Sequence, residues 1–400
     1  MITYFVYFTI LSGVLGQLAK IPLGSGNLYP LDLLVIVTVT LWALGKLVER
    51  DYQFRIPRYF LLLSLFLFWA AITLIRGKSD VTSFDFMTGS FYLIRFAFYS
   101  VFSLVVYDLK SRSPQGLFEK GMLRVLLASC VVVALAGFAQ LFVYPDLSSL
   151  AAQFGYDPHK NRLVSTFLDP NFTAAYLVLG IVLLVSLKKE SNSNSLMLHS
   201  IVVRLIIGAI LSLALVLTFS RSGWLMLSVV LLLFGVLRSP KLLLVAFLAG
   251  FLAYFAVPRV QTRISGITDP DDSAKLRLVS WAHAVTIFEE SPVFGVGFNL
   301  YRSAQERFGF FDYRDLEGGH AGAGSDSSLL LVLATTGIVG LVLFLLTLVY
   351  VFVMSFRKFS SPVGLALCLS LFGLFWESQF INSLFFPQIM LWVWVLIGLL

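Results

Sequence analysis

Apolar runs of roughly 15 to 25 residues recur along the chain with short polar gaps between them, and no other feature restricts the fold so severely. Such a run crosses hydrocarbon as a helix, because a helix satisfies its own backbone where no water is present to do so. The runs fall at about 2–19, 29–45, 57–75, 88–107, 122–144, 170–187, 200–219, 223–237, 241–257, 327–356, 362–376 and 385–400. They predict an all-α polytopic membrane protein with about twelve transmembrane helices and one large outer-face loop containing short helices. Composition agrees: 58% of the 400 residues are hydrophobic and 13% are charged, outside the range of soluble globular chains. The run starting near 327 is long enough to tilt or break, with Gly337 and Gly340 as places for a bend.

The gaps set the orientation. With the N-terminus inside, every second gap is basic: Lys46, Arg50, Arg55 and Arg58, then Lys110, Arg112, Lys120 and Arg124, then Lys188, Lys189 and Arg204, then Arg238 and Lys241, then Arg357 and Lys358. The other short gaps are sparse in Lys and Arg, so both termini are expected in the cytoplasm. The formal net charge of +7 is thereby explained as topology, and nucleic acid is not a partner. The N-terminal run lacks a basic leader and a clear cleavage site, and reads as a retained span. Cys130 and Cys368 both sit in apolar runs and read as small core residues. Four scattered histidines without metal-ligand spacing imply no metal site, and no cofactor is expected.

Residues 258–326 form the one long polar segment, placed on the outer face by the same count. It holds seven Lys and Arg residues beside ten carboxylates, and "KLRLVSWAHAVTIFEE" within it has helical spacing. Leu278, Trp281, Ala282, Val285 and Phe288 form its expected apolar face, and "SPVFGVG" stops it. The chain divides accordingly into N-terminal transmembrane helices over 1–154, transmembrane helices with outer-face arginine motifs over 155–257, the loop over 258–326 and C-terminal transmembrane helices over 327–400.

Polar residues at span ends gather at one level. Arg162, Ser165, Thr166, Asp169 and Asn171 precede the sixth run, and Ser220 and Arg221 form the tight turn before the eighth. Arg277 and Trp281 lie in the loop, Asp326 leads into the tenth run, and Glu377, Gln379 and Asn382 separate the last two. Arg95 lies in the outer half of the fourth. Each has an ordinary explanation. Arg221 fits snorkelling to headgroups, Asp326 fits a helix N-cap, Pro170 fits a helix start, Arg162 and Arg277 fit loop charges, and Trp281 fits core. Arg95 fits a buried ion pair. Five separate segments converging on one face favour a shared site over five coincidences.

Arginines at a membrane boundary suit an anionic lipid headgroup. A diphosphate needs several fixed guanidinium forks, and as a leaving group it develops charge that the same arginines stabilise. A nearby carboxylate can take the proton of an attacking hydroxyl. No Walker or dinucleotide fingerprint occurs in the sequence, so the energy source is expected to be the substrate itself.

"RLVSTFLDPNFTAAYL", "FSRSGWL", "RLVSWAHAVTIFEESPVFGVGFNLY" and "DSSLLLVLATTGIVGL", in this order and spacing, resemble the O-antigen ligase and O-antigen polymerase superfamily of bacteria. The resemblance covers about residues 155–400; the N-terminal third is similar only as generic spans. It implies a GT-C-like, inverting, metal-independent glycosyltransferase of the bacterial plasma membrane, with the large loop in the periplasm. Such enzymes take a glycan from undecaprenyl diphosphate and join it to a hydroxyl on a lipid, glycan or protein acceptor, with membrane lipids around the site. By motif position it assigns diphosphate binding to Arg162, Arg221 and Arg277, with Arg95, Asn171, Ser220, Trp281, Gln379 and Asn382 in support. Ligases of the superfamily carry a histidine at the position of Asp326. The base is therefore expected to be Asp326, with His320 on the preceding Gly/Ala stretch as the alternative. Ligase and polymerase remain undivided. A transporter or flippase of lipid-linked glycan is the competing reading, and it would place its polar groups near the midplane; a structural scaffold is the third.

Overall fold

A computed structural model describes residues 2–23, 26–50, 56–149, 159–187, 200–265, 272–310 and 324–400. The described chain is built from helices. The N-terminal helix α1 (Ile2–Ser12) runs into a 3-10 turn over Gly13–Ala19, and a short antiparallel hairpin follows, β1 (Ile21–Leu23) with β2 (Gly26–Leu28). Then come α2 (Pro30–Val48), α3 (Arg58–Arg76), α4 (Ser83–Arg112), α5 (Leu117–Val143), α6 (Pro170–Ser186), α7 (Ile201–Thr218), α8 (Arg221–Leu237) and α9 (Pro240–Ala256). The polar segment supplies α10 (Pro258–Ser265), α11 (Asp272–Glu290) and α12 (Tyr301–Arg307). The chain closes with α13 (Ser328–Arg357), α14 (Pro362–Glu377) and α15 (Pro387–Leu399).

Seven of the described helical stretches are long and apolar enough to cross a membrane, and α6, α8, α14 and α15 are shorter apolar helices. This is a multi-pass membrane protein. Its outward-facing side chains are apolar as well as its core: Phe68 on α3, Leu205 on α7, Leu232 on α8 and Phe247 on α9 are all exposed, as lipid contact requires and water would penalise. At the centre stands α6, buried from Thr173 to Leu184. It packs on α5, α7, α8 and α14, while α15 lies against α4. Close approach is specified residue by residue. A Cβ on Gly223 of α8 would come within 2.4 Å of Ala174 Cβ on α6, so only glycine lets these helices meet.

Helix starts follow from capping. Asp169 Oδ1 accepts the Asn171 and Phe172 amides at 2.7 and 3.0 Å, and Pro170 takes the first position of α6. Ser220 Oγ accepts the Gly223 amide at 3.2 Å to start α8, after Phe219 has reversed the chain in the left-handed region (φ 49°).

The bend expected in the long run lies at Gly337, with φ 67° and ψ −173°; Gly340 is helical. The break leaves backbone groups of α13 to be satisfied inside the bundle, and the segment after α11 does so. Val296 and Gly297 donate to the Ala334 and Thr335 carbonyls at 3.0 Å each, and the Pro292 carbonyl takes the Ile338 amide at 2.8 Å. Trp69 Nε1 donates to the Thr336 carbonyl at 2.9 Å. The "SPVFGVG" segment is thus a plug for the broken helix, and it docks α11 onto α13. The expected apolar face of α11 is corrected here. Its buried positions are Ala284 and Ile287, whereas Leu278, Ala282 and Val285 are exposed. Ala284 and Ile287 pack with Leu331 and Ala334 of α13.

Candidate functional site

The loop ahead of α6 is stapled to the α7–α8 turn. Leu163 donates its amide to the Leu217 carbonyl at 2.9 Å. Arg162 Nε donates to the Thr218 carbonyl at 2.9 Å, and its Nη2 to the Phe219 carbonyl at 3.3 Å. The guanidinium therefore fills the acceptors that the end of α7 leaves open, where the helix dipole is negative. Ser220 Oγ donates to Asn171 Oδ1 at 2.8 Å, tying α8 to α6. Arg221 follows as the first residue of α8, partly buried. Asn171 and Ser220 are thus fasteners that set Arg162 beside the turn bearing Arg221.

The polar segment brings further cations. Arg259 on α10 donates to the Asn161 and Lys160 carbonyls at 2.5 and 2.8 Å, and its guanidinium lies 4.5 Å from the Phe219 ring centroid. Pro258, Arg259, Thr262 and Arg263 line a recess of about 380 Å³. The charges act on one another. Burial, followed by repulsion from Arg263, pushes the Arg162 guanidinium down to about 9; Asp169 opposes this, and Arg259 and Arg277 add to it. Arg259 is likewise lowered, by burial and then by Arg263. Burial raises the Asp169 carboxyl, against its two cap hydrogen bonds and the fields of Arg162 and Arg277. Four arginines from three segments share one field in which Asp169 is the carboxylate acting on Arg162. Such mutual repulsion marks a place where an anion is favoured.

Asp326 arrives from another direction. Its amide donates to Ser280 Oγ at 3.0 Å, and Ser280 lies three residues along α11 from Arg277, on the same side of that helix. Asp326 is not the cap of α13: Ser327 Oγ accepts the Leu330 amide at 3.3 Å. Its carboxylate acts instead on Tyr301, the first residue of α12. His320 lies outside the described residues.

The segment between α14 and α15 completes this end of the bundle. Ser328 donates its amide to the Ser378 carbonyl at 2.8 Å and its Oγ to Asn382 Oδ1 at 3.3 Å, so Asn382 holds the start of α13. Gln379 Nε2 donates to the Phe375 carbonyl at 2.7 Å, closing the end of α14. Trp281 packs against Phe380, with ring centroids 5.7 Å apart. Glu377 is fully buried. Ser383 Oγ donates to its Oε2, its Oε1 has no hydrogen-bond partner among the described residues, and it lies in the fields of Asp169 and Arg277.

Arg95 has a separate neighbourhood. Its Nη2 pairs with Asp32 Oδ2 at 2.7 Å and donates to the Asn27 carbonyl, while Tyr99 donates to Asp32 Oδ1 at 2.9 Å. This buried pair fastens the hairpin to α2 and α4, with contacts confined to the N-terminal third.

Sequence reading gave no site role to Arg259 and Arg263, and placed Asp169 and Glu377 at the outer face without one. Arg259 and Arg263 stand four residues apart on the short helix after α9, and that i, i+4 spacing was the available signal. In comparison with known families, residues 206–345 match the family described as O-antigen ligase. The match contains Arg221, Arg259, Arg263, Arg277 and Asp326, and leaves Arg162, Asp169 and Glu377 outside. No curated protein matches the chain.

Proposed function

We propose, from the match of residues 206–345 to the O-antigen ligase family, that the chain is a member of the O-antigen ligase and polymerase superfamily and transfers a glycan from undecaprenyl diphosphate to an acceptor hydroxyl. The reaction takes place on the outer face of a bacterial plasma membrane, which the chain crosses about twelve times with both termini in the cytoplasm. The mutual repulsion of Arg162 with Arg259, Arg263 and Arg277, two of which line the recess beside α10, carries the reading. A dianionic diphosphate would relieve that repulsion, and no neutral ligand would.

Arg162, Arg221 and Arg277 hold the diphosphate, with Arg259 and Arg263 widening the positive field. The acceptor oxygen attacks the anomeric carbon from the side opposite the diphosphate. The bond from that carbon to the phosphate oxygen breaks, its electron pair leaves with the diphosphate, and the sugar inverts. Asp326 takes the hydroxyl proton, with His320 as the second candidate. The arginines supply the positive charge that the leaving group needs, so the reading calls for no metal or cofactor.

The test is transfer in detergent from lipid-linked glycan extracted from the host, with products resolved by mass. Dimers and longer chains identify a polymerase, and a single transfer to a lipid or protein identifies a ligase. Absence of turnover with every acceptor, together with movement of the lipid across liposome membranes, overturns the enzyme in favour of a transporter.

A further inference from the structure

The segment bearing Arg162 also bears a histidine that the diphosphate reading leaves unused. His159 is buried, and its Nε2 lies 4.0 Å from Asp169 Oδ2. Asp169 divides its oxygens: Oδ1 caps α6 through two amides, and Oδ2 is the oxygen nearest the imidazole. The backbone around His159 is held from two sides. The Leu147 amide donates to the His159 carbonyl at 3.0 Å, Asp146 and Lys160 form an antiparallel bridge, and Arg259 binds the two carbonyls that follow His159. These contacts fix the backbone position from which the imidazole reaches Asp169.

Asp169 is the carboxylate whose charge acts on Arg162, and it shares its field with Arg277. A bound anion and Asp169 therefore compete for the same guanidiniums. We propose that His159 is a positioning residue that settles this competition. As imidazolium it pairs with Asp169 and leaves Arg162 and Arg277 to a diphosphate; as neutral imidazole it returns Asp169 to them. The proposal rests on the diphosphate reading above.

Charges around the pair include Arg162 on the same segment, Arg277 from α11 and Glu377 from the end of α14, all in the field of Asp169, with Arg259 and Arg263 from α10 acting on Arg162. Lys160 lies 3.4 Å from Asp146 beside them. Arginine and lysine keep their charge through neutral pH. Histidine changes its own there, and either carboxylate could also change, which the variants below separate. Because the protonated imidazole favours the anion, binding raises its proton affinity. The gain is complete at low pH and is lost as pH rises through the imidazole range.

The experiment uses the full chain in detergent and a glycosyl farnesyl diphosphate as probe, a diester whose charge is constant between about pH 5.5 and 8. Wild type should bind about tenfold more tightly at the acid end, the equivalent of one pKa unit of linkage. In turnover the change should appear in KM and not in kcat. His159→Gln should bind weakly and without pH dependence, and His159→Lys should bind tightly and without pH dependence. Asp169→Asn, which keeps the cap acceptor, should also bind tightly. The proposal is overturned if His159→Gln keeps the wild-type pH slope, or if His159→Lys binds no better than His159→Gln. Loss of binding in Arg221→Ala alongside unchanged His159 variants sinks the histidine and spares the diphosphate site. A folded wild type that ignores the probe at every pH removes both.

Discussion

Asp326→Asn separates a catalytic carboxylate from a helix cap, because the structure gives the capping duty to Ser327. The cap of α13 is Ser327, and the contact that fixes Asp326 to α11 is made by its backbone amide, which the variant retains. Both of these survive in the variant, so it should cost less stability than loss of the cap. Ser327→Ala, which removes the cap acceptor, should cost about 1 kcal/mol. Activity should move in the opposite order. A lost general base lowers the rate by about 10²–10⁴, equivalent to roughly 2.7–5.4 kcal/mol of barrier, whereas a lost cap leaves the rate of folded protein nearly intact. Both variants would be purified, their thermal unfolding compared, and their transfer rates measured with the donor saturating. If Asp326→Asn keeps more than about a tenth of wild-type kcat, the carboxylate is not the base. If it melts as early as Ser327→Ala, its role is structural after all.

Arg221→Ala should abolish transfer while the protein still inserts, checked by membrane yield beside the transfer assay. Arg162→Lys keeps the charge but loses the fork that spans the Thr218 and Phe219 carbonyls; donor KM should rise about tenfold or more in steady-state kinetics. Gly337→Ala would set a Cβ 2.2 Å from the Val293 carbonyl oxygen at a φ of 67°, and should destabilise the fold by at least about 2 kcal/mol in thermal unfolding. Burial raises the Asp169 carboxyl, so the folded chain holds that proton more readily than the unfolded chain does. Its contribution to stability should fall as pH rises from the ordinary aspartate range through the raised value, and Asp169→Asn should flatten that slope in unfolding measured against pH.

Much of the site could be read without coordinates because its parts are locally marked. The apolar runs coincide with helical structure to within a few residues, except that α4 extends about a turn beyond both ends of its run and α5 begins about a turn ahead of its own. The "SRSGW" turn contains its own explanation: Ser220 caps, Arg221 begins the helix and Gly223 permits contact with Ala174. The glycines of "SPVFGVG" and Gly337 were separately visible as turn and bend. That one plugs the other was not, because the hydrogen bonds join residues about forty apart in sequence. The α11 face was misjudged for a related reason. Amphipathic periodicity assumes that large apolar side chains point inward, and here the contact with α13 is made by Ala284 and Ile287.

Hydropathy and charge alone determined that the chain is a membrane protein, where its helices run and which polar residues collect at their ends. These are local properties, governed by the cost of leaving backbone or charge unsatisfied in hydrocarbon. Tertiary structure decided which of those residues meet. Arg162 reaches the carbonyls of Thr218 and Phe219, Arg259 those of Lys160 and Asn161, Asp326 lies against Ser280, and Arg95 turns to Asp32. In a membrane chain this pairing leaves little trace in sequence. Helices α6 and α9 are both apolar all round, yet one is buried at the centre and the other exposes Phe247, Phe251 and Leu252. Lipid and protein interior favour the same side chains, so what tells the two helices apart is packing between residues far apart in the chain.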